Sequence, residues 1–239
     1  MKTKYYILNL RLWGIKNITE PIEIAFCKKT INNSFDPDKY KIKAIYGENG
    51  SGKTAVITAV KIFKKLITDK DYLGDINTQK SLYEIINKKT QKGFIESEFL
   101  VASNSTRYIV KYSISFEIKD DGRCYISKEK LECKTGKHSN NKYVEIFTVD
   151  DGVIIQNGTD ARIFDLLEKK TANLLTKQSL VASSIDILID HQLESASFAV
   201  GEIVLFMVYL FANSISIYID ESDDHSGYIS RKIQADQLN

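Results

Sequence analysis

Eight consecutive residues, Gly47-Glu48-Asn49-Gly50-Ser51-Gly52-Lys53-Thr54, carry the clearest chemistry in the chain. They complete the pattern GxxxxGK[ST]. Glycines at this spacing let the backbone curl with its N–H groups pointing inward, which makes a nest for an anion. A helix starting where the loop ends adds the positive end of its dipole. Lys53 supplies a point charge for β- and γ-phosphates, and the Thr54 hydroxyl suits Mg²⁺. The flanks agree with this reading. Ile42–Tyr46 reads as a strand, and Thr54–Leu66 spaces its apolar residues as a helix does, with Lys61, Lys64 and Lys65 on the other side. ATP with Mg²⁺ is the expected ligand.

Holding a triphosphate is not hydrolysing it; that needs a carboxylate for the metal and one for the attacking water. Ile215–Ile219 is a short β-branched run that ends in Asp220-Glu221. Such a strand is expected beside the phosphate loop in a parallel sheet, with its acids at the carboxyl edge. Asp220 then serves Mg²⁺ and Glu221 polarises the water, while Lys53 holds the phosphates.

The elements that must position these groups are readable in outline. Tyr5–Leu12 and Ile22–Phe26 alternate as strands around a turn through Asn17 and Pro21. Residues 67–93 are polar, with a short helical piece in SLYEIINKK. Phe94–Val101, Arg107–Ile118, Cys124–Leu131 and Tyr143–Val149 alternate as strands, with turns at Asn104, Asp120-Asp121-Gly122 and Asp150-Asp151-Gly152. This is an antiparallel meander. Ala161–Lys170 and Leu174–Leu188 read as helices, and the tail from Ser226 reads as helical. The uncharged stretch Ile203–Ile219 resolves into a core helix, Ile203–Ala212, and a core strand rather than a membrane span.

Composition narrows the class. The chain has 239 residues, 43% hydrophobic and 27% charged, with a formal net charge of +2. That is globular composition, and the bulk charge calls for neither nucleic acid nor membrane. Three cysteines and three histidines have no ligand-like spacing, so a disulfide framework and a structural zinc site are excluded and a reducing cytoplasm fits. The five arginines, Arg11, Arg107, Arg123, Arg162 and Arg231, are scattered, which argues against the arginine lid of a small-molecule kinase.

The stretch from GIKNI through PIEIAF to IKAIYGENGSGKTAVITAV resembles the N-terminal half of an ABC-type ATPase head, closest to the SMC, RecF and OLD-like bacterial group that serves DNA repair or anti-phage defence. Residues 197–202, the following apolar helix and SISIYIDE resemble that family's signature motif, signature helix and Walker B strand. The resemblance implies an α/β P-loop NTPase fold, a parallel core sheet plus an antiparallel β-meander. It implies one domain over 1–239: N-terminal strands, loop and first helix in 1–66, a polar and antiparallel part in 67–160, and a helical part with signature and acids in 161–239. It further implies that ATP is sandwiched between two heads and that closure is relayed to an effector such as a nuclease or toxin, or to DNA. Gly201 and Glu202 would meet the partner head's γ-phosphate, Gln178 (with Gln156 as the alternative) would couple phosphate and Mg²⁺ to the interface, and Lys16 would approach the nucleotide. Ala199 stands where the family's signature has Ser, Ser222 replaces the usual Pro, and the switch histidine lies on a later strand than the chain reaches. These departures imply a truncated head, or a reduced one that turns over slowly or serves as a nucleotide-gated scaffold.

Overall fold

The alternating run at the N-terminus forms β1 (Lys4–Trp13), which buries one set of side chains against helices and pairs on both edges. The structure, a computed structural model, describes residues 3–27, 35–40, 42–46, 52–103, 106–135, 142–156, 176–185, 200–219 and 231–235. β2 (Ile22–Ala25) pairs with one edge of β1, and β4 (Lys92–Ser103) with the other. β5 (Thr106–Ile118), β6 (Cys124–Thr135), β7 (Val144–Asp150) and β8 (Val153–Gln156) follow in order and complete a seven-stranded sheet. Too few residues separate each of β4 to β7 from the next strand for a parallel crossover, and each of these pairs is antiparallel. β8 was not expected from the sequence; it extends the turn at Asp150-Asp151-Gly152 into a further hairpin.

A second sheet has three strands, β3 (Ile42–Ala44), β9 (Ile215–Ile219) and β10 (Arg231–Ala235), with β10 in the middle. Both of its pairings are antiparallel. This overturns the expected parallel core sheet of an α/β P-loop NTPase head. Among the described residues every strand pairing is antiparallel, and the dominant layer is the large antiparallel sheet. The physical reason lies in the connections. β3 and β9 do run in the same direction, but β10 lies between them in the opposite one and takes their hydrogen bonds. The helical tail is likewise corrected, because residues 231–235 form that central strand.

Helices cover one face of the large sheet. α1 (Lys53–Thr68) sets Phe63 edge-on against Tyr112 of β5, with ring centroids 5.8 Å apart. The apolar helix Val200–Ser214 is numbered α4 here, after a short helical segment α3 at residues 180–185. Phe211 of α4 stacks on Phe99 of β4 at 3.8 Å, with the planes 5° apart. Strand register puts Phe99 and Tyr112 on the same face, so α1 and α4 lie side by side on it. Lys64 of α1 joins them, donating to the Ile215 carbonyl at 2.7 Å where α4 gives way to β9. A cation at a helix C-terminus also offsets the negative end of the dipole. α2 (Ile76–Ile85) starts at Asp75, whose carboxylate accepts from the Thr78 amide. No helix among the described residues is long and apolar enough to cross a membrane.

The opposite face is polar over much of its area. There Lys130 bridges Glu132 and Glu145 at 3.0 and 3.1 Å, and the Tyr143 hydroxyl donates to Glu98. A smaller apolar cluster of Tyr6, Leu8, Phe35, Leu100 and Ile109 covers one corner.

Because Phe211 is fully buried between helix and sheet, Phe211→Ala should lower the unfolding free energy by about 3–5 kcal/mol, the range for truncating a core aromatic. A urea melt read by circular dichroism would measure it; a loss under about 1 kcal/mol would mean that α4 does not dock on this face.

Candidate phosphate-binding site

Residues 47–51 of the glycine loop, with Asp220 and Glu221, lie outside the described residues; Gly52, Lys53 and Thr54 lie within them. Gly52 is the N-cap of α1 at φ 89°, a left-handed conformation that favours glycine. Gly52 has no side chain with which to cap the helix, and the first turn carries no acid. Lys53, the first helical residue, is only 8% exposed. As the first residue of α1 it stands at the positive end of the helix dipole. Thr54 is exposed on the same turn, as an ion ligand needs to be.

A second turn backs this one. Gly14 (φ 75°) and Lys16 (φ 51°) bend the chain just after β1. A Cβ on Gly14 would fall 2.0 Å from the Lys92 carbonyl oxygen, so only glycine fits. Lys16 has its amide bonded to the Ile85 carbonyl at 2.7 Å and its carbonyl bonded by the Asn87 side-chain amide at 2.8 Å. These ties hold a positive φ that an unsupported lysine would leave. The next residues reach the glycine loop: a Cβ on Gly52 would lie 3.7 Å from Cγ1 of Ile18 and 4.0 Å from Oδ1 of Asn17. Lys16 thus belongs to the turn against which the end of the loop rests.

The small sheet sets the direction of the two motif strands. Lys232 of β10 pairs with Ala44 of β3 on one side and with Tyr218 of β9 on the other. Ala44 and Tyr218 are therefore level, two strand spacings or about 10 Å apart. Both strands point the same way, so the chain leaves the sheet toward Gly47 and toward Asp220 at one edge.

Gln178 is also brought into the interior, at 8% exposure. It belongs to the turn before α3, and that turn is pinned from three sides. Thr176 accepts from the Ile126 amide at 2.7 Å. Ser179 donates through Oγ to the Leu66 carbonyl of α1 at 2.8 Å, while the same Oγ accepts from the Ala182 amide at 3.1 Å, as an N-cap does. Glu129 of β6 accepts from the Leu180 and Val181 amides at 2.7 and 3.4 Å and from the Tyr112 hydroxyl at 2.5 Å. Glu129 is fully buried. Burial pushes its carboxyl up to about 7 against the three hydrogen bonds that favour the charge.

Gly201 and Glu202 open α4, and both are buried, Glu202 to 4% exposure. An acid in a first turn suits the helix dipole. They face the interior of this chain and not an open surface, while Ile203 beside them is exposed at 40%. Among the described residues no three His, Cys, Asp or Glu side chains converge as a metal group.

Sequence reasoning missed Glu129, Tyr112 and Ser179. The signal was present in β6. Its inward residues are Cys124 and Ile126 at first, then Glu129, Leu131 and Cys133, because a bulge at Ser127 shifts the alternation by one. A carboxylate in the inward series of a strand marks a buried polar contact.

No protein-family model matches the chain, and no curated protein is significantly similar to it. The chemistry of the site is thus argued from its own residues.

Glu129 gives a pH signature. The folded carboxyl titrates near 7 and the unfolded one near 4.5. Between these values the folded chain holds a proton that the unfolded chain has shed, so this group's contribution to stability falls as pH rises from 4.5 through 7. Glu129→Gln, which copies the neutral acid, should remove that slope. Urea midpoints of both proteins at pH 5 and pH 8 test this, and equal pH slopes in the two proteins would refute it.

Proposed function

We propose that the chain binds ATP with Mg²⁺ at Gly47–Thr54, hydrolyses it, and uses the cycle to pair with a second copy and signal to an effector such as a nuclease or toxin. The observation that supports this reading is that β3 and β9 end at the same edge of the small sheet, and the glycine loop and the Asp220-Glu221 pair follow those two strands in sequence. The left-handed Gly52, Lys53 and the amide end of α1 suit a phosphate group in donor chemistry and conformation. Oxygen ligands are what Mg²⁺ takes, and Thr54 with Asp220 supplies them. When bound, Mg²⁺ neutralises charge on the β- and γ-phosphate oxygens.

The residues divide the work. Lys53 and the loop amides hold the β- and γ-phosphates, and Lys16 adds positive charge from the supporting turn. Glu221 accepts the proton of the water that attacks the γ-phosphorus, as the bond from phosphorus to the bridging oxygen breaks. Gln178 senses the γ-phosphate through the turn that Ser179 ties to α1. The three cysteines are free, in keeping with action in the cytoplasm. Nucleic acid is a further partner in this proposal. Ala199, in place of a signature serine, favours a second reading in which the chain binds nucleotide as a scaffold without turning it over.

Lys53→Ala should abolish ATP binding measured by calorimetry. Glu221→Gln should keep binding, lower turnover by about 10²–10⁴, and lengthen the life of an ATP-bound dimer seen as a doubled mass. If Glu221→Gln changes neither turnover nor dimer lifetime, hydrolysis is not the function and the scaffold reading stands. If neither the wild type nor Glu221→Gln binds ATP, both readings fall.

A further inference from the structure

A second concavity, about 610 Å³, opens between α2, the β5–β6 turn and Lys177. It uses none of the residues assigned above. That volume is in the range of small-ligand sites. Leu73 supplies a buried apolar wall. Three cations, Lys80, Arg123 and Lys177, line it from three separate segments of chain. Lys80 and Lys177 form no ion pair with any described residue. The carboxylates nearby are already engaged. Glu84 pairs with Lys88 at 3.4 Å, and Asp121 accepts from the Tyr125 hydroxyl at 2.7 Å and the Arg123 amide at 3.0 Å. The concavity therefore presents positive charge that its own acids do not satisfy.

Two aromatic rings share the wall, Tyr83 and Tyr125. Each is held in place before any ligand arrives. Lys88 lies 3.7 Å over the Tyr83 ring, and Asp121 anchors the Tyr125 hydroxyl. Gln79 clamps the walls together: its amide donates to the Leu73 and Cys124 carbonyls at 2.6 and 3.1 Å and accepts from the Cys124 amide at 2.7 Å. Walls held this way lose little entropy on binding. Rings for a flat group and cations for an anion, in one preformed concavity, suit a ligand that carries both.

We infer that this concavity binds a nucleoside monophosphate, its base against Tyr83 and Tyr125 and its phosphate between Lys80, Arg123 and Lys177. Two features tie it to the rest of the molecule. Lys177 precedes the buried Gln178, and the far end of α2 holds the Lys16 turn through Ile85. A ligand here touches the segment that leads into Gln178 and the helix that holds the Lys16 turn.

The test is calorimetric titration of AMP, GMP, CMP, UMP and orthophosphate into the full chain, wild type and Lys53→Ala. At least one nucleotide should bind both proteins equally, with orthophosphate weaker. Lys80→Ala with Lys177→Ala should weaken binding about tenfold or more, the effect of losing about 1.4 kcal/mol, with an unchanged melting temperature. Tyr83→Ala should weaken the nucleotide but not orthophosphate. Binding that disappears in Lys53→Ala would assign the ligand to the glycine loop and overturn the inference. Binding indifferent to the paired lysine change, or no binding by any of the four nucleotides, would overturn it too. Since the readout is taken in Lys53→Ala, failure of the ATP reading leaves this result standing.

Discussion

Burial of α1 is the constraint on which the other placements depend. Ten of its sixteen residues are buried, and Lys53 is among them. An amphipathic helix of this kind is stable only where its apolar stripe meets another apolar surface. Here that surface is the inward face of the large sheet, with α4 alongside. Once α1 is docked, its N-terminus has one position, and Gly52 and Lys53 have it too. Its C-terminal half then reaches two other parts of the chain, the start of β9 through Lys64 and the Gln178 turn through the Leu66 carbonyl. The helix that begins at the glycine loop is also the one that anchors the other motif segments.

The sheet contributes a second kind of constraint. A carboxylate in a core is costly unless its oxygens are occupied. Glu129 meets this by taking the amides of a helix start and a tyrosine hydroxyl, so the strand and the Gln178 turn satisfy one another. Apolar contacts alone would leave that turn free to slide; directional bonds to a fixed strand do not. The opposite face of the same sheet has no such need, and its lysines and glutamates pair across strands, Lys111 with Glu132 and Lys130 with Glu145.

Elements whose signals are local were legible. The alternation of β4 to β7, the helical spacing of α1 and the β-branched run of β9 each depend on neighbours in sequence, and each appears within a few residues of its expected span. β8 was not legible, since four residues after a turn carry too little pattern. The tail was misread because Arg231–Ala235 becomes a strand only where two open edges receive it. The expected parallel core failed for the same reason. Strand direction within a chain follows from connections, but which strand sits between two others is a property of the assembled sheet.

Taken alone, the amino-acid sequence determined the helix after the glycine motif, the core strand before the acid pair and the meander, because backbone freedom and side-chain spacing are local properties. Tertiary structure alone decided that β10 separates β3 from β9, that a bulge at Ser127 turns Glu129 inward, and that Gln178 and Glu202 are buried. Those outcomes depend on register and on which surfaces meet. Residues far apart in the chain settle both, by the hydrogen bonds and buried area they can share.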